Sequence, residues 1–450
     1  MHQVERAIFD LRRGLPVLVV AGETSVLVQA VEGAAEATAT RLAAQAGAIP
    51  ALVLGHHRLA VLGVAGAIQA ARLPLEPGVG RQRLAELAFG VSPEVTLGPA
   101  DLAQCRRSLE PAHAVDRAAL ALMRRALLIP SALVARISEA RRGDIDALVE
   151  DGTLLAVEAD QAERCLDGGV GMLKRVSEAR IPLVDALDAR FILFREGDGL
   201  REHVAVVIGD PGRAGAAVPL RLHSACLTGD LFGSLRCDCG EQLHNAVADI
   251  DALNGGVLLY LSQEGRGIGL ANKLRAYSLQ DSGLDTLDAD QVLGFGEDER
   301  RYGVAVDMLD SLGIRRVQLM TNNPGKVSTL IEGGIEVIER QALYGSLNAH
   351  NRRYLSAKSG RAGHLLDAVL NGEAPGPRDL CSRPRRARRS AMVRLPLTLI
   401  NQGAKSRASQ TGASHQKRVG ASQATRPAQS IPTRVKKALC LRASRQTTRR

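Results

Sequence analysis

Tryptophan is absent from the 450 residues, and only six Phe and five Tyr stand against a hydrophobic fraction of 45%. Cores of the size this composition allows must be aliphatic. Cysteine is sparse too, with seven residues at irregular spacing, an odd number that excludes a secreted disulfide scaffold and points to a reducing compartment. No run of eighteen apolar residues occurs. The opening MHQVERAIFDLRRGLPVLVV scatters charge ahead of an apolar run too short for a signal-peptide core. A cytoplasmic protein without a membrane span is expected. There is no internal repeat, and the length suits two or three domains.

Acidic residues are missing from one end. From Pro375 to Arg450 nineteen Lys and Arg face the single acid Asp379, whereas the 374 residues before them carry 39 bases and 47 acids. The formal net charge of +10 is therefore a property of the tail, and the folded part is acidic. The tail is rich in Ser, Gln, Thr, Pro and Arg and nearly free of apolar periodicity, so it cannot bury enough surface to offset its ordering entropy. A disordered segment is expected over 373–450. It is either a non-selected extension or a salt-sensitive contact for nucleic acid or another acidic partner.

Residues 5–65 alternate helical and strand-like patterns: VERAIFDLRRG, LPVLVV, AEATATRLAAQAG, ALVLG. Residues 113–150 read mostly as helix, and the Gly-rich LDGGVG at 166–171 marks a boundary. The expected class is α/β (α+β), with a smaller domain over 1–170, a larger one over 171–372 and then the tail.

Three cysteines fall within fourteen positions, in the segment HSACLTGDLFGSLRCDC. Cys226, Cys237 and Cys239 are soft ligands that suit zinc. His223 or His244 could close a structural site as fourth ligand, or the three thiolates could leave a catalytic position open, or the cysteines could simply be buried. Spacing alone does not choose. Downstream, the strand run GGVLLYL leads through SQEGRGIG into a helix LANKLRAYSLQD, and VQLM leads through TNNPGK into a helix beginning near Val327. Glycine-rich turns between strand and helix let backbone N–H groups approach an anion, and Arg266, Thr321 and Lys326 are suited to phosphate or a base edge. Between them, GFGEDERRYG reads as the opening of a helix carrying Ala305, Met308, Leu309 and Leu312. Its acids Glu297, Asp298 and Glu299 either complement the helix dipole, or Asp298 and Arg300 project into a cleft as proton acceptor and phosphate partner.

In this order the motifs resemble GTP cyclohydrolase II, which opens the imidazole ring of GTP in the first step of riboflavin biosynthesis. The resemblance runs from about Leu173 to Leu366 through LKRVSEARIP, HSACLTGD, SLRCDCG, QEGRGIGLANKLRAYSLQDSGLDT, LGFGEDER, TNNPGKV and NRRYL. It implies a mixed-sheet domain in a homodimer and one catalytic Zn²⁺ per subunit on Cys226, Cys237 and Cys239. It implies Mg²⁺ with the GTP phosphates, and GTP contacts from Arg221, Leu222, His223, Ser224, Ala225, Gln242, Glu264, Gly265, Arg266, Thr286, Thr321 and Lys326. Asp298 matches the family's proton acceptor, Arg300 its nucleophile toward the α-phosphorus, and Tyr277 a tyrosine used in the ring chemistry. The family commonly has Glu where this chain has Ala225, which alters one nucleotide contact.

The N-terminal stretch is similar to the opening of dihydroxybutanone phosphate synthase. It has AGETSVLVQAVEGA where that enzyme needs an acidic loop, and the later His-Thr-Glu motif is missing. The resemblance implies a degenerate relative without synthase activity. Two other readings stay open: a cyclohydrolase-like enzyme on another nucleotide or stopping at partial hydrolysis, and a zinc-stabilised nucleic-acid-binding protein. The latter needs closed zinc coordination and a basic folded domain. Because every matched position ends by Lys326, truncation after Asn371 should leave turnover at saturating GTP unchanged while abolishing salt-sensitive retention on heparin. A folded truncation with a large loss of turnover would place the tail in the mechanism.

Overall fold

The computed structural model describes residues 2–371, apart from 65, 67, 92–96, 167–172, 212–215 and 361–364. The Gly-rich boundary from residue 167 and the tail over 373–450 lie outside the described residues. Two seven-stranded mixed sheets, each packed with helices, make up the rest.

The first sheet holds β1 (Val17–Ala21), β2 (Thr24–Ala30), β3 (Ala51–Gly55), β4 (Ala70–Pro74), β5 (Glu110–Pro111), β6 (Ser131–Arg136) and β7 (Leu155–Glu158). Their order is β5-β4-β3-β6-β2-β1-β7, antiparallel except where β1 meets β7. The period of two along each strand sorts residue types by face. Val17, Val19, Val26, Val28 and Val134 pack under the helices His2–Arg12 and Ala114–Arg125. Leu18, Leu27, Leu52, Leu54 and Leu133 face the helices Thr38–Ala46 and Arg81–Phe89. A one-residue slip would exchange the two sets, so register is well specified. With no Trp available, these aliphatic layers are the core. The helical reading of 113–150 is corrected here: helices Ala114–Arg125 and Glu139–Glu150 are separated by β6, which pairs between β3 and β2. Pro130 supplies no N–H and holds the preceding residue out of the helical region, so the helical pattern cannot run through it.

The second sheet holds β8 (Lys174–Arg180), β9 (Ala189–Arg195), β10 (Glu202–Ile208), β11 (Val218–Ser224), β12 (Gly256–Leu261), β13 (Arg316–Met320) and β14 (Glu336–Gln341), in the order β14-β13-β11-β12-β10-β9-β8. Strands β12, β11, β13 and β14 are parallel, and β10, β9 and β8 run antiparallel. The helix Cys239–Ala252 covers one face and the helix Gly303–Ser311 the other. The connection from β11 goes to β12 on one side, and the chain then returns to β13 on the other. This is the switch point at which open α/β sheets leave a crevice beyond their strand ends.

The two sheets meet through an apolar cluster that sets Ile129 against Ile268, Leu279, Val292 and Phe295. At its rim Asn272 donates to the Leu127 carbonyl at 3.0 Å and Arg275 pairs with Glu32 at 2.8 Å. Arg58, fully buried, sits beside this cluster with no carboxylate partner among the described residues. Its guanidinium donates to the carbonyls of Glu86 (2.6 Å), Leu87 (2.8 Å) and Gly90 (2.8 Å), and to Val292 at 3.1 Å. The first three are at the C-terminus of the helix Arg81–Phe89 and the fourth ends the helix Thr286–Val292. One cation thus answers the orphan carbonyls and negative dipole ends of two helices, one from each half of the molecule. Burial pushes its pKa down to about 10, which still leaves it charged at neutral pH. Arg58→Met should lower stability by about 3 kcal/mol by stranding these carbonyls. A urea midpoint indistinguishable from wild type would show that the caps contribute nothing.

Candidate active site

Strand β11 delivers the first site residues by alternation. Arg221 and His223 face the crevice beyond the parallel strand ends, while Leu222 lies in the core beneath and offers only its carbonyl, which accepts from Lys326 Nζ at 2.7 Å. Arg221 donates to Gln242 Oε1 at 2.7 Å and to the Met320 carbonyl at 2.9 Å, and burial pushes its pKa down to about 10. His223 Nε2 lies 3.1 Å from Asp230, its ring is stacked on Tyr260, and burial lowers its pKa in spite of that carboxylate. Asp230 also accepts from Tyr260 Oη and from the Cys226 N–H, both at 2.9 Å. His223 is thereby committed to Asp230, not to the cysteines.

The three cysteines do converge. Cys226 and Cys237 Sγ are 3.7 Å apart, and all three sulfurs lie within 4.8 Å of one another. Thiolates on one tetrahedral zinc, at about 2.3 Å each, stand roughly 3.8 Å apart, so the donor set fits such an ion. Among the described residues no His, Asp or Glu joins the group, and His244 is exposed near Asp185. Backbone crowding explains the intervening sequence. A Cβ at Gly229 would lie 2.7 Å from Cys237 Sγ and 3.0 Å from Cys226 Sγ, so only glycine lets the short helix Leu227–Asp230 pass under the sulfurs. Lys273 Nζ reaches the Cys226 sulfur at 3.2 Å, Thr228 Oγ1 at 3.0 Å and Glu264 at 2.8 Å. Hydrogen bonds from Cys237 and Cys239, with the Lys273 ammonium, push the Cys226 thiol far down toward thiolate, while its bond to Cys226 pushes Cys237 up to about 11.

After β12 the chain makes the turn Glu264–Gly267, in which Gly265 and Arg266 both take left-handed backbone, φ +62° and +61°. At Gly265 a Cβ would lie 2.9 Å from the Lys273 side chain, and at Arg266 the conformation is strained, as happens where function over-determines a residue. The turn aims Arg266 at the Thr286 carbonyl (3.2 Å) and at Asp290, whose carboxyl burial raises to about 6 despite the guanidinium. After β13, Thr321 Oγ1 accepts from the Asn323 N–H at 3.0 Å. Asn323 caps the helix Pro324–Glu332, accepting from Gly325 N–H at 2.8 Å, so that helix begins earlier than the expected Val327. Asp298 and Arg300 precede their helix, which starts only at Gly303. They face each other as a bidentate pair, Nε to Oδ1 2.8 Å and Nη2 to Oδ2 2.6 Å. Despite burial, Arg300 holds Asp298 below its ordinary pKa.

Every residue expected from the sequence except Leu222 and Asp298 lines one cavity at these strand ends, with Asp298 attached to it through Arg300. Lys273, Gln263, Asn322, Asp290 and Tyr354 line it too and were not singled out. Lys273 had a legible signal, since it stands four residues before Tyr277 on one helix face. Arg221 Nε, His223 Nδ1, Ser224 Oγ and Gln263 Oε1 are buried there without a hydrogen-bond partner among the described residues, as expected of groups awaiting a polar ligand. Because Gly229 presses on two sulfurs, Gly229→Ala should weaken metal retention roughly tenfold or more without unfolding the chain. Unchanged metal content after dialysis against a chelator would sink this reading of the cluster.

A profile of the GTP cyclohydrolase II family matches residues 174–342, the span of the second sheet. A GTP cyclohydrolase-2 of Xylella fastidiosa (strain Temecula1) is 42% identical over 364 residues, covering 81% of this chain and 87% of that protein. A GTP cyclohydrolase-2 of Azotobacter vinelandii is 55% identical over 177 residues, covering 39% of this chain and 85% of that protein. Among solved structures, a two-domain 3,4-dihydroxy-2-butanone 4-phosphate synthase from A. baumannii matches 71% of this chain and 93% of that one at 17% identity, with a TM-score of 0.27. Identity above 40% along most of both chains, together with a profile match over the segment that folds into the crevice, leads to one conclusion: the chain belongs to the GTP cyclohydrolase II family.

Proposed function

We propose that the crevice binds GTP and that the chain converts it to 2,5-diamino-6-(5-phosphoribosylamino)pyrimidin-4-one, formate and pyrophosphate, with Zn²⁺ held by Cys226, Cys237 and Cys239. GTP hydrolysis in riboflavin biosynthesis is the activity of this family. The observation that carries the finer reading is the sharing of one cavity by three converging sulfurs and the cations Arg221, Arg266, Arg300 and Lys326. Zinc supplies Lewis acidity at that point, the property that makes water nucleophilic near neutral pH.

The remaining roles belong to the chain's own side chains. Arg266 and Lys326 stand on strand-to-helix loops, where guanidinium and ammonium groups with nearby backbone N–H donors suit the triphosphate. Arg300 and Asp298 form a pair in which the carboxylate is placed to take a proton from the guanidinium, as a nucleophilic role of Arg300 at the α-phosphorus requires. Tyr277 is half-buried, with the Lys273 ammonium 5.6 Å from its ring centroid, and loss of solvent around its hydroxyl raises its pKa. It therefore stays a neutral hydroxyl that can donate to groups at the cysteine end. The carboxylates near the crevice are tied to Lys273, Arg266 and Arg300, so Mg²⁺ would arrive on the phosphates and not in a protein cage. Ala225 presents a methyl group to the cavity and its N–H is spent on the Leu261 carbonyl at 2.8 Å, which leaves the nucleotide one polar contact short there.

No helix among the described residues is long and apolar enough to cross a membrane, in keeping with the proposed cytoplasmic location. A homodimer is proposed from the family resemblance, with the exposed side chains of Val184, Leu187, Leu231 and Phe232 available for apolar contact. Residues 1–170 are proposed as a degenerate synthase-like domain that supports the catalytic one over 171–372. A nucleic-acid-binding role is disfavoured by the acidic folded part and by a metal group of three ligands among the described residues, where a closed site needs four.

Incubation with GTP and Mg²⁺ should yield formate, pyrophosphate and the diaminopyrimidine. Removing a preorganised donor typically costs about 100-fold or more. Arg300→Ala should therefore suppress pyrophosphate and formate alike, whereas Tyr277→Phe should spare pyrophosphate release more than formation of the pyrimidine. Formate output at the wild-type rate in Arg300→Ala would show that ring opening does not wait on phosphorus chemistry.

A further inference from the structure

A second, smaller cavity adjoins the first where the two halves of the molecule meet. Its walls carry Arg124 and Arg125 from the helix Ala114–Arg125, Arg201 and Arg301 from the second half, and the carboxylates Glu196 and Glu299. The charges do not balance. Arg125 pairs with Glu196 and Asp198, Arg201 lies 3.6 Å from Glu196, and Arg124 lies 3.2 Å from Glu299. Three carboxylates thus answer four guanidinium groups. Arg301 is the one left over, with its Nη1 buried and without a hydrogen-bond partner among the described residues. Water could satisfy the N–H, but Glu196 and Glu299, already engaged by other guanidinium groups, reach half-buried Arg301 only through longer-range attraction, so the cavity keeps an excess of positive charge. Burial lowers the pKa of Arg201 and Arg301 alike, with the Arg125 charge acting in the same direction and Glu196 against it.

The walls of this cavity are the backs of the catalytic loops. Gln263 Nε2 donates to the Arg301 carbonyl at 2.5 Å, and the Glu299 N–H donates to the Arg266 carbonyl at 3.0 Å. Gly267 lies so close to Glu299 that a Cβ would come within 2.7 Å of its carbonyl. From Glu196 a further chain runs through buried His203, 3.0 Å away, whose Nδ1 accepts from the Ser262 N–H at 3.0 Å just before the loop.

We propose that this cavity binds one small oxyanion of the phosphate class, and that its occupant steadies the segments carrying Arg266 and Arg300. The ligand is recognised by charge and by guanidinium N–H donors, so free phosphate, pyrophosphate and the phosphoryl group of a small ester share the needed chemistry.

The test uses the full metal-loaded chain with the first cavity filled by a slowly hydrolysed GTP analogue. Calorimetric titration is run separately with inorganic phosphate, pyrophosphate and ribose 5-phosphate, and the tightest of the three identifies the source. One saturable site per chain is expected, weakened about tenfold or more by Arg201→Gln and by Arg301→Gln, as loss of a charge-assisted hydrogen bond implies. The exposed-residue control Arg315→Gln should bind as wild type. Without the analogue, phosphate raises the KM for GTP by competition in every variant, but less in wild type, where the second site opposes it, than in Arg301→Gln. No saturable binding beside the analogue, or binding that survives both substitutions, overturns the site. Equal KM responses in wild type and Arg301→Gln overturn the coupling.

Discussion

Parallel hydrogen bonding of β12, β11 and β13 is the constraint from which the site follows. It brings Ser224, Leu261 and Met320 to one edge of the sheet, so the three segments that leave those ends must start side by side. One carries Cys226, another Glu264 to Arg266, and the third Thr321 to Lys326. Period-two alternation then turns Arg221 and His223 outward and Leu222 inward. None of these residues needs a long-range instruction of its own. The flanking helices on opposite faces leave the crevice open at the point where connections diverge.

Parts of this were legible in the sequence because they are local. The strand runs at 255–261 and 317–320, the helix LANKLRAYSLQD and the aliphatic runs of the first sheet all depend on neighbours within a few positions. Ordered motifs pointed to the family and to sixteen residues that line one cavity. What escaped was set by tertiary pairing. A five-residue run such as SALVA at 131–135 has no period long enough to separate strand from helix, and only its place between β3 and β2 decides. GEDER resembles a helix start because acids favour first turns, yet Asp298 spends its oxygens on Arg300 and the helix begins only at Gly303. Arg58 gave no signal at all, since a lone arginine in a short helix looks like surface.

The first half of the chain is not a passive attachment to the second. Arg58 binds helix ends on both sides, Arg124 holds Glu299 one residue from Arg300, and Leu127, in left-handed backbone at φ +58°, gives its carbonyl to Asn272 on the helix that carries Lys273 and Tyr277. These contacts reach every segment that approaches the crevice from that side. The surface of the first half thus positions residues of the second.

The sulfur geometry also sets the chemistry of failure. Two thiols 3.7 Å apart need only a modest approach to form a disulfide, and the one driven toward thiolate is the more reactive partner. An ion bound between them consumes those lone pairs and holds the sulfurs at separate corners of its coordination shell. Chelation followed by air would therefore not merely empty the site but lock it, and recovery would need a reductant before any metal.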